Sequence, residues 1–127
     1  MGLLLDTHII IAIVDGASSG SSRRALEIIK AQSLVSFASV ASLWEIAIKV
    51  RLGRLPLRSQ LDQLPEALDD AGVSILAIDH RHVLAELKPE PPTRDPFDRL
   101  LLAQCQIEDM RLVTLDRALV DHPLAFR

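Results

Sequence analysis

Short apolar runs that alternate with helical stretches are the feature that most constrains the fold of this chain. Short apolar runs bounded by turn residues are typical of buried strands. When strands and helices alternate along a chain, the strands pair in parallel and the helices cover the faces of the sheet. We therefore predict an α/β domain with a mostly parallel central sheet flanked by helices. The predicted strands are residues 3–5, 34–37, 73–78 and 112–115.

The clearest helical pattern covers residues 39–52, where apolar side chains recur three and four positions apart. Gly53 and Pro56 are expected to end this helix. The proline-rich segment 88–93 is predicted to be a loop, and residues 123–127 an additional edge strand. Further helices are predicted over residues 8–14, 22–32, 60–71, 79–87 and 96–108, with a loop over residues 16–22.

Length and composition favour one packed unit. The 127 residues are predicted to form a single domain, 1–127. Apolar residues make up 49% of the chain, which is enough for a core and argues against general disorder. The one cysteine, Cys105, excludes an internal disulfide and is expected to be a buried residue in a reducing compartment. The sequence contains no recognisable signal peptide or membrane span, so we expect a cytoplasmic protein.

The formal net charge of −3 argues against a protein that binds nucleic acid mainly by its overall charge. It does not argue against a nuclease, because an acidic metal site lowers the net charge and the bound ion restores it. Residues 46–61 are locally basic and contain no acid. We interpret this segment as a solvated helix end and loop rather than as an RNA-binding track. Its basic residues are Lys49, Arg51, Arg54 and Arg58.

Four acidic residues lie where a parallel sheet would bring them together. Asp6 follows the first predicted strand and Asp116 the fourth, and ligands of such sheets bind beyond the carboxyl ends of the strands. Asp98 lies in the first turn of the helix after the proline-rich loop, and Glu45 lies early in the helix over residues 39–52. Carboxylates are suitable ligands for Mg²⁺ or Mn²⁺. A bound ion of this kind can activate water and stabilise charge on a phosphate.

Each of these acids also has a purely structural interpretation. Asp6, Asp95 and Asp116 could each cap the helix or turn that follows. Asp98 could complement the dipole of its helix. From composition and spacing alone, the sequence supports only an α/β domain with a possible acidic site.

Glu45 has two further structural interpretations. Ser42 and Glu45 have the spacing of a capping box, in which the serine would begin the helix. Glu45 and Lys49 are four residues apart on the same helix and are expected to form an ion pair.

Four segments of the sequence resemble the PIN-domain family, and specifically the VapC-like toxins of bacterial type II toxin–antitoxin pairs. Their order and spacing make the resemblance specific, and it extends from Leu3 to about Leu119. It implies a three-layer fold with a parallel sheet between helices, in agreement with the pattern described above. The segments are LLDTH at 4–8, SVASLWEIAIK at 39–49, DPFDRLLLAQ at 95–104 and LVTLD at 112–116.

The resemblance implies roles for individual residues. Asp6, Glu45, Asp98 and Asp116 match the four acids that bind metal and carry out catalysis in the family. Asp6 and Asp98 are the preferred direct ligands, whereas the roles of Glu45 and Asp116 remain open. Small hydroxyl residues beside the acids are Thr7 and Thr114, and Asp95 matches a cap rather than a ligand. We interpret His8 as a helix residue near the site rather than as a general base.

The function implied by the resemblance is endonucleolytic hydrolysis of RNA with Mg²⁺ or Mn²⁺ as cofactor. The implied partners are the RNA substrate, a second copy of the chain in a homodimer, and a small antitoxin. The antitoxin would place a basic side chain among the carboxylates. Helices around residues 9–14 and 43–52 contain more apolar residues than one core face needs, which suggests a surface for the dimer or the antitoxin.

Three alternatives remain. A phosphatase with an aspartate nucleophile needs a second aspartate two positions after Asp6, where this chain has His8. A phosphoacceptor receiver domain needs an acidic pair near the first strand, and the chain has only one acid there. A PIN fold that only binds RNA or protein is expected to lack one or more of the four acids, and all four are present. Metal-dependent hydrolysis separates the nuclease from the two non-enzyme alternatives.

Overall fold

The computed structural model describes residues 2–16 and 19–127. Strands and helices alternate through this part of the chain, which confirms the predicted α/β fold. The strands are β1 (Gly2–Leu5), β2 (Ser36–Ser39), β3 (Val73–Leu76) and β4 (Met110–Val113). The helices are α1 (Thr7–Asp15), α2 (Gly20–Ala31), α3 (Val40–Arg51), α4 (Leu64–Asp70), α5 (His80–Leu84) and α6 (Pro96–Glu108). A 3₁₀ turn (Leu61–Gln63) precedes α4.

All four strands pair in parallel, in the order β3-β2-β1-β4. The chain moves outward from β1 to β2 and β3, then returns to the other side of β1 for β4. This reversal makes the carboxyl ends of β1 and β4 a topological switch point, where parallel sheets usually bind ligands. The backbone N–H of Asp6 donates to the carbonyl of Val113 across this point at 2.9 Å.

The sheet separates two apolar cores. Leu3 and Leu5 of β1 face a cluster that also contains buried residues of α1, α2 and α4. Leu4 points to the opposite face, where it joins buried residues of α6. The three leucines have no exposed surface, which explains why β1 reads as a continuous apolar run rather than an alternating one.

Two strands are displaced from their predicted positions. β2 lies two residues later than the prediction of 34–37, and Val35 before it is 56% exposed. β4 begins and ends two residues earlier than the predicted 112–115, so two residues separate it from Asp116. Pairing with β1, which joins Leu3 to Ser36 and Gly2 to Met110, sets these bounds.

Smaller differences concern the remaining strand predictions and several helices. The tail forms an isolated parallel bridge at Ala125 instead of the predicted edge strand. β3 ends two residues before the predicted end at 78, and α5 is shorter than the predicted helix at both ends. The predicted helix over 60–71 divides into the 3₁₀ turn and α4, and it ends before Gly72, whose φ is 77°.

The start of α2 also differs from the prediction. It begins at Gly20 rather than at residue 22, because Ser19 caps it by accepting from the backbone N–H of Ser22. Residues 20–22 of the predicted loop over 16–22 therefore belong to the helix. Residues 17 and 18 of that loop lie outside the described part of the chain.

The beginning of α3 contradicts the predicted capping box. Ser39 is the N-cap, and its hydroxyl accepts from the backbone N–H of Ala41 at 3.0 Å. Ser42 and Glu45 lie inside the helix and are buried. Their spacing of three residues puts both side chains on the face of α3 that contacts Thr7 at the end of β1.

The apolar residues of α1 and α3 have different surroundings. Ile9 and Ile10 of α1 are fully buried, and the other large apolar residues of α1 pack against the same core. Ile11, Ile13 and Val14 are only partly buried, so a dimer or antitoxin surface on α1 stays a prediction. α3, in contrast, exposes Trp44 at 61% and Leu52 beyond its end at 60%.

Cys105 is fully buried, and burial raises the pKa of its thiol to about 12, as expected of a core residue. Among the described residues, none of the helices has the length and apolar character that crossing a membrane requires.

Candidate acidic active site

Asp6 is held in one orientation at the end of β1. It caps α1, and its Oδ1 accepts from the backbone N–H of Thr7 at 2.7 Å. Its Oδ2 accepts from the hydroxyl of Thr114 at 2.6 Å. Only 6% of the residue is exposed, and burial raises the pKa of its carboxyl group despite these hydrogen bonds. The predicted capping role is confirmed, but it uses only one of the two carboxylate oxygens.

Thr114 connects Asp6 to Asp116. Its hydroxyl oxygen accepts from the backbone N–H of Asp116 at 3.0 Å while the hydroxyl proton goes to Asp6. The carboxylate of Asp116 is exposed and accepts from the backbone N–H of Ala118 at 2.9 Å, which confirms a local capping role. Asp116 therefore lies at the rim of the site, with its other oxygen open to solvent or ligand.

Glu45 reaches the same end of the sheet from α3. Its Oε1 accepts from the hydroxyl of Thr7 at 2.7 Å, and that hydroxyl lies 3.0 Å from the hydroxyl of Ser42. Its Oε2 forms an ion pair with Nζ of Lys49 at 2.8 Å, as predicted from their spacing. Glu45 is 8% exposed, so its charge is held in a largely enclosed position. Within the described part of the chain, Lys49 is the one cation in an ion pair with any of the four acids.

Asp98 comes from the first turn of α6. Asp95 begins this helix as predicted, because its Oδ1 accepts from the backbone N–H groups of Phe97 and Asp98 at 2.8 and 3.2 Å. The hydroxyl of Thr93 lies 3.5 Å from Oδ2 of Asp98. The fully buried Gln104 on the same helix accepts from the hydroxyl of Ser39 at 2.5 Å. That bond links α6 to the start of α3 and fixes the relative positions of the helices that carry Asp98 and Glu45.

The pKa of Asp98 shows that the carboxylates share one electric field. It is raised from 3.8 to about 7, first by partial burial and then by the negative charges of four other acids. A cation at this place would relieve that repulsion and restore the charged form. The four acids that raise it are Asp95, Asp6, Asp116 and Glu45.

The donor set suits a hydrated divalent cation. Carboxylate and hydroxyl oxygens are the ligands that Mg²⁺ prefers, and the ion usually keeps several waters and takes only one or two protein carboxylates. Between residues 2–16 and 19–127, no group of three or more His, Cys, Asp or Glu side chains is close enough to enclose a metal ion. Each oxygen of Asp6 and of Glu45 already accepts one hydrogen bond within the protein and keeps a second lone pair for another partner. The site therefore fits an ion held partly through water rather than in a closed protein cage.

The predicted site residues and their neighbours divide into three groups. Hydrogen bonds of Thr7 and Thr114 connect Asp6, Glu45 and Asp116, and the charges of these three acids raise the pKa of Asp98. His8 is exposed, and it is near enough for its charge to lower the pKa of Asp6. Sequence reasoning missed the contact of Ser42 with Thr7 because it treated the serine as a helix cap. Ser42 and Glu45 are three positions apart and so lie on one face of α3, and this spacing could have predicted the contact.

The groove next to the site has a different character. It has a volume of about 540 Å³ and lies between the start of α2 and the end of β4. Arg24, Leu115 and Phe126 line it together with Thr114, but none of the four acids does. Its walls are mostly apolar, so we place the candidate chemistry at the acids rather than in this groove.

Comparison with known protein families gives one match. The profile of a family described as PIN domain matches residues 3–123 and therefore includes all four acids. No curated protein matches the chain.

Proposed function

The chain belongs to the PIN domain family, which consists of nuclease-type domains, and from this we infer that it is a metal-dependent endoribonuclease. The observation that carries the proposal is the hydrogen-bonded placement of Asp6 and Glu45 at the carboxyl end of β1, where Thr114 and Thr7 hold them. The raised pKa of Asp98, to about 7, agrees with it because the charges of both acids contribute to the shift. Carboxyl groups whose pKa is shifted by burial and by neighbouring acids are typical of sites that bind a cation or carry out proton transfer. The proposed reaction is hydrolysis of an RNA phosphodiester bond.

We assign the residues of this chain the following tasks. Asp6 and Asp98 would hold Mg²⁺ or Mn²⁺, and Glu45 and Asp116 would complete the site as ligands, through water, or by orienting the attacking water. When bound, the ion supplies positive charge that activates water and stabilises the phosphate during attack. Thr7 and Thr114 keep Asp6 and Glu45 from rotating away. These bonds lower the cost of organising the site when substrate arrives.

Lys49 has a separate task in this proposal. Its ammonium group neutralises Glu45, and the nearby charges of Asp95 and Asp98 raise its pKa further, after Glu45 itself. A protonated Lys49 therefore reduces the repulsion that an incoming phosphate meets at the site. Its side chain is 44% exposed, so it can also contact the RNA backbone directly.

We further propose that the chain is the toxin of a type II toxin–antitoxin pair and acts as a homodimer in the cytoplasm. The resemblance of residues 39–49 and 95–104 to VapC-like toxins supports this assignment. The charge of the site supports it as well, because several carboxylates with one paired lysine can accept a basic side chain from an antitoxin. An arginine binds carboxylates through two parallel hydrogen bonds and would compete with the metal ion.

The experiment that tests the nuclease proposal is cleavage of total cellular RNA by purified protein with Mg²⁺, Mn²⁺ or chelator. Asp6→Asn and Asp98→Asn are compared with Asp69→Asn, which changes an exposed aspartate of α4. We expect discrete metal-dependent products from the wild type and Asp69→Asn, and none from the two site variants. Equal cleavage by all four proteins would contradict the proposed site.

One observation favours a second candidate function, a PIN-fold module that binds RNA or protein without cleaving it. Glu45 is already paired with Lys49, as expected of a carboxylate that serves the fold rather than a metal ion. Thermal unfolding with and without Mg²⁺ or Mn²⁺ separates the candidates. The nuclease predicts a rise in Tm with the ion that is lost in Asp98→Asn, whereas a binding-only module predicts no metal-dependent shift.

A further inference from the structure

A separate cavity lies at the edge of the sheet opposite the acidic site. Ser36 and Val73, the first residues of β2 and β3, lie in its wall, whereas Asp6 follows the last residue of β1. The rest of the wall comes from α1, α2 and the turn between α4 and β3. The cavity has a volume of about 390 Å³, which is within the range of small-molecule sites. No residue of this wall belongs to the acidic site, so the cavity needs an explanation of its own.

Ser36 is the unexpected residue in this wall. It is only 9% exposed, and like Ala38 two positions later it faces the core that contains Leu3 and Leu5. Other serines of the described chain use their hydroxyl groups in hydrogen bonds, but the hydroxyl of Ser36 bonds to no described residue. A buried hydroxyl group without a partner lowers stability, and alanine would avoid this loss. The serine is therefore not explained by the packing of the core.

The hydroxyl of Ser36 opens into the cavity. Within residues 2–16 and 19–127, every fully enclosed side-chain nitrogen or oxygen has a hydrogen-bond partner. Because the hydroxyl of Ser36 has none, it must touch open space, and the open space on its side of the sheet is this cavity. Ser36 thus offers a hydrogen-bond donor at the inner end of the cavity.

Lys30 lies at the outer end of the same cavity. It is exposed and belongs to the last turn of α2, where a cation interacts favourably with the helix dipole. The dipole explains a positive charge at this position but does not neutralise it. Among the described residues, no carboxylate forms an ion pair with Lys30. Its ammonium group is therefore available to an anion at the mouth of the cavity.

The wall between these two polar groups is mainly apolar. Ile13, Leu26 and Ile29 line the cavity and are only partly buried although they pack against the core. A water molecule is well held only where it finds two to four polar partners, and apolar side chains supply none. Water in the middle of the cavity is thus poorly held, and an apolar group that displaces it gains affinity.

We propose that this cavity binds a small carboxylic acid with an apolar chain and a second oxygen atom. The carboxylate pairs with Lys30, the chain fills the apolar middle, and the second oxygen accepts from the hydroxyl of Ser36. The volume equals that of about a dozen water molecules, so a ligand of about a dozen non-hydrogen atoms fits. The inference goes beyond the proposed nuclease function and does not depend on it.

The first test is calorimetric titration of the wild type with three related probes: 8-hydroxyoctanoate, octanoate and the methyl ester of 8-hydroxyoctanoate. We expect 8-hydroxyoctanoate to bind about two- to tenfold more tightly than octanoate, which lacks the oxygen for Ser36. The ester should also bind more weakly, because it has no charge for Lys30. Equal affinity for all three probes, or no binding of any, would show that the cavity holds only water and would overturn the inference.

The second test assigns each preference to one residue. Ser36→Ala should abolish the preference for 8-hydroxyoctanoate over octanoate but keep the preference over the ester. Lys30→Gln should do the reverse. Lys88→Gln, which removes the same charge from an exposed lysine outside the cavity, should bind as the wild type does. Folded Ser36→Ala and Lys30→Gln proteins that keep both preferences would place the probe elsewhere and refute the site.

The third test separates the cavity from nonspecific binding of an apolar chain. Ala71 is exposed and lines the cavity, so Ala71→Phe should block it and abolish binding of 8-hydroxyoctanoate. Ala77→Phe adds the same ring at an exposed position outside the cavity and should bind normally. Thermal unfolding without probe adds a check on the hydroxyl. Ser36→Ala should raise Tm, and a lower Tm would show that the hydroxyl already has a structural partner and would contradict its role in binding.

Discussion

Two groups of acids in this protein have the same chemistry but opposite electrostatics. At the far end of α6, Arg81 donates to Asp79 and to Glu108 at 2.8 Å each. The buried His82 accepts from the backbone N–H of Asp79 through Nδ1 at 3.0 Å, and its Nε2 lies 3.3 Å from Glu108. Hydrogen bonds from Arg81 lower the pKa of Asp79 to about 2. Each acid of this paired cluster has a basic partner, so the cluster serves the fold.

At the start of α6 the acids outnumber their basic partners. Asp98 meets partial burial and four acids, and its pKa rises to about 7. Lys49 is engaged by Glu45 and is not in an ion pair with Asp98. Such a site lowers the stability of the protein when it is empty. The difference teaches that carboxylates alone do not indicate function. Carboxylates that are partly buried beside other acids, with too few basic partners to neutralise them, do indicate it, and the following predictions test this contrast.

The largest expected effect comes from changing one acid at each end of α6. Asp98→Asn should lower kcat for RNA cleavage at least about a hundredfold, because changes to groups that merely support a metal ligand already cost ten- to a hundredfold. Glu108→Gln should leave kcat unchanged, because Glu108 belongs to the paired cluster. Initial rates with Mg²⁺ at saturating RNA measure both. A comparable loss in Glu108→Gln would show that the contrast between the two ends is false.

The next largest effect concerns the hydroxyl that orients Asp6. Thr114→Val keeps the shape of the side chain but removes the donor to Oδ2 of Asp6. We expect about a ten- to hundredfold loss in metal affinity and in kcat, since Thr114 supports a ligand without being one. Thr114→Ser retains a hydroxyl and should recover most of both. Calorimetric titration with Mn²⁺ measures the affinity, and a Val variant that binds Mn²⁺ like the wild type would contradict the role.

The stability of the metal-free protein should depend on pH with a sign set by Asp98. Its pKa is about 7 in the folded protein against an ordinary value of 3.8, so the folded state binds the additional proton between these values. Stability therefore falls as pH rises from about 4 to about 7. Asp79 in the paired cluster acts in the opposite direction. Its charged form stabilises the fold at pH values above its ordinary pKa of 3.8, and this stabilisation is lost as pH falls through about 2.

Asp98→Asn isolates this contribution. Asp98 is partly open to solvent, which screens its charge, so the variant should be more stable than the wild type at pH 7.5 in chelator by about 1 kcal/mol. At pH 4 the two proteins should be nearly equal. Urea denaturation across this pH range measures the difference. Added Mg²⁺ should narrow the gap at pH 7.5, and a gap that is the same at both pH values would show that repulsion at Asp98 is not its source.

Features set by neighbouring residues were predicted correctly from the sequence, whereas features set by distant pairing were not. The bounds of α6 were predicted correctly as 96–108, because Asp95 and Pro96 mark its start by contacts within the same turn. The ion pair between Glu45 and Lys49 was also predicted from spacing on one helix. The strands β2 and β4 were displaced by two residues, since their ends depend on pairing with β1 far away in the sequence.

The candidate site shows the same division. The positions of its four acids came from strand ends and from the family resemblance, and the structure brings their charges together. The contact of Glu45 with Thr7 joins residues 38 positions apart and has no local signal. The capping box was wrong because Ser39, three residues earlier, captured the free N–H of the helix first. The catalytic roles of the four acids remain predictions.

The smallest expected effect concerns the paired cluster at the end of α6. Glu108→Gln removes a charge that Arg81 neutralises, so it should lower stability, although Gln keeps an oxygen that can accept from Arg81. An ion pair whose cation is open to solvent contributes little, so we expect a small loss of stability that disappears in high salt. Urea denaturation of Glu108→Gln and Asp98→Asn in chelator at pH 7.5 shows whether each variant raises or lowers the free energy of unfolding. Removing an acid should destabilise one end of α6 and stabilise the other; if both variants are stabilised, general negative charge rather than the missing partner of Asp98 explains the site.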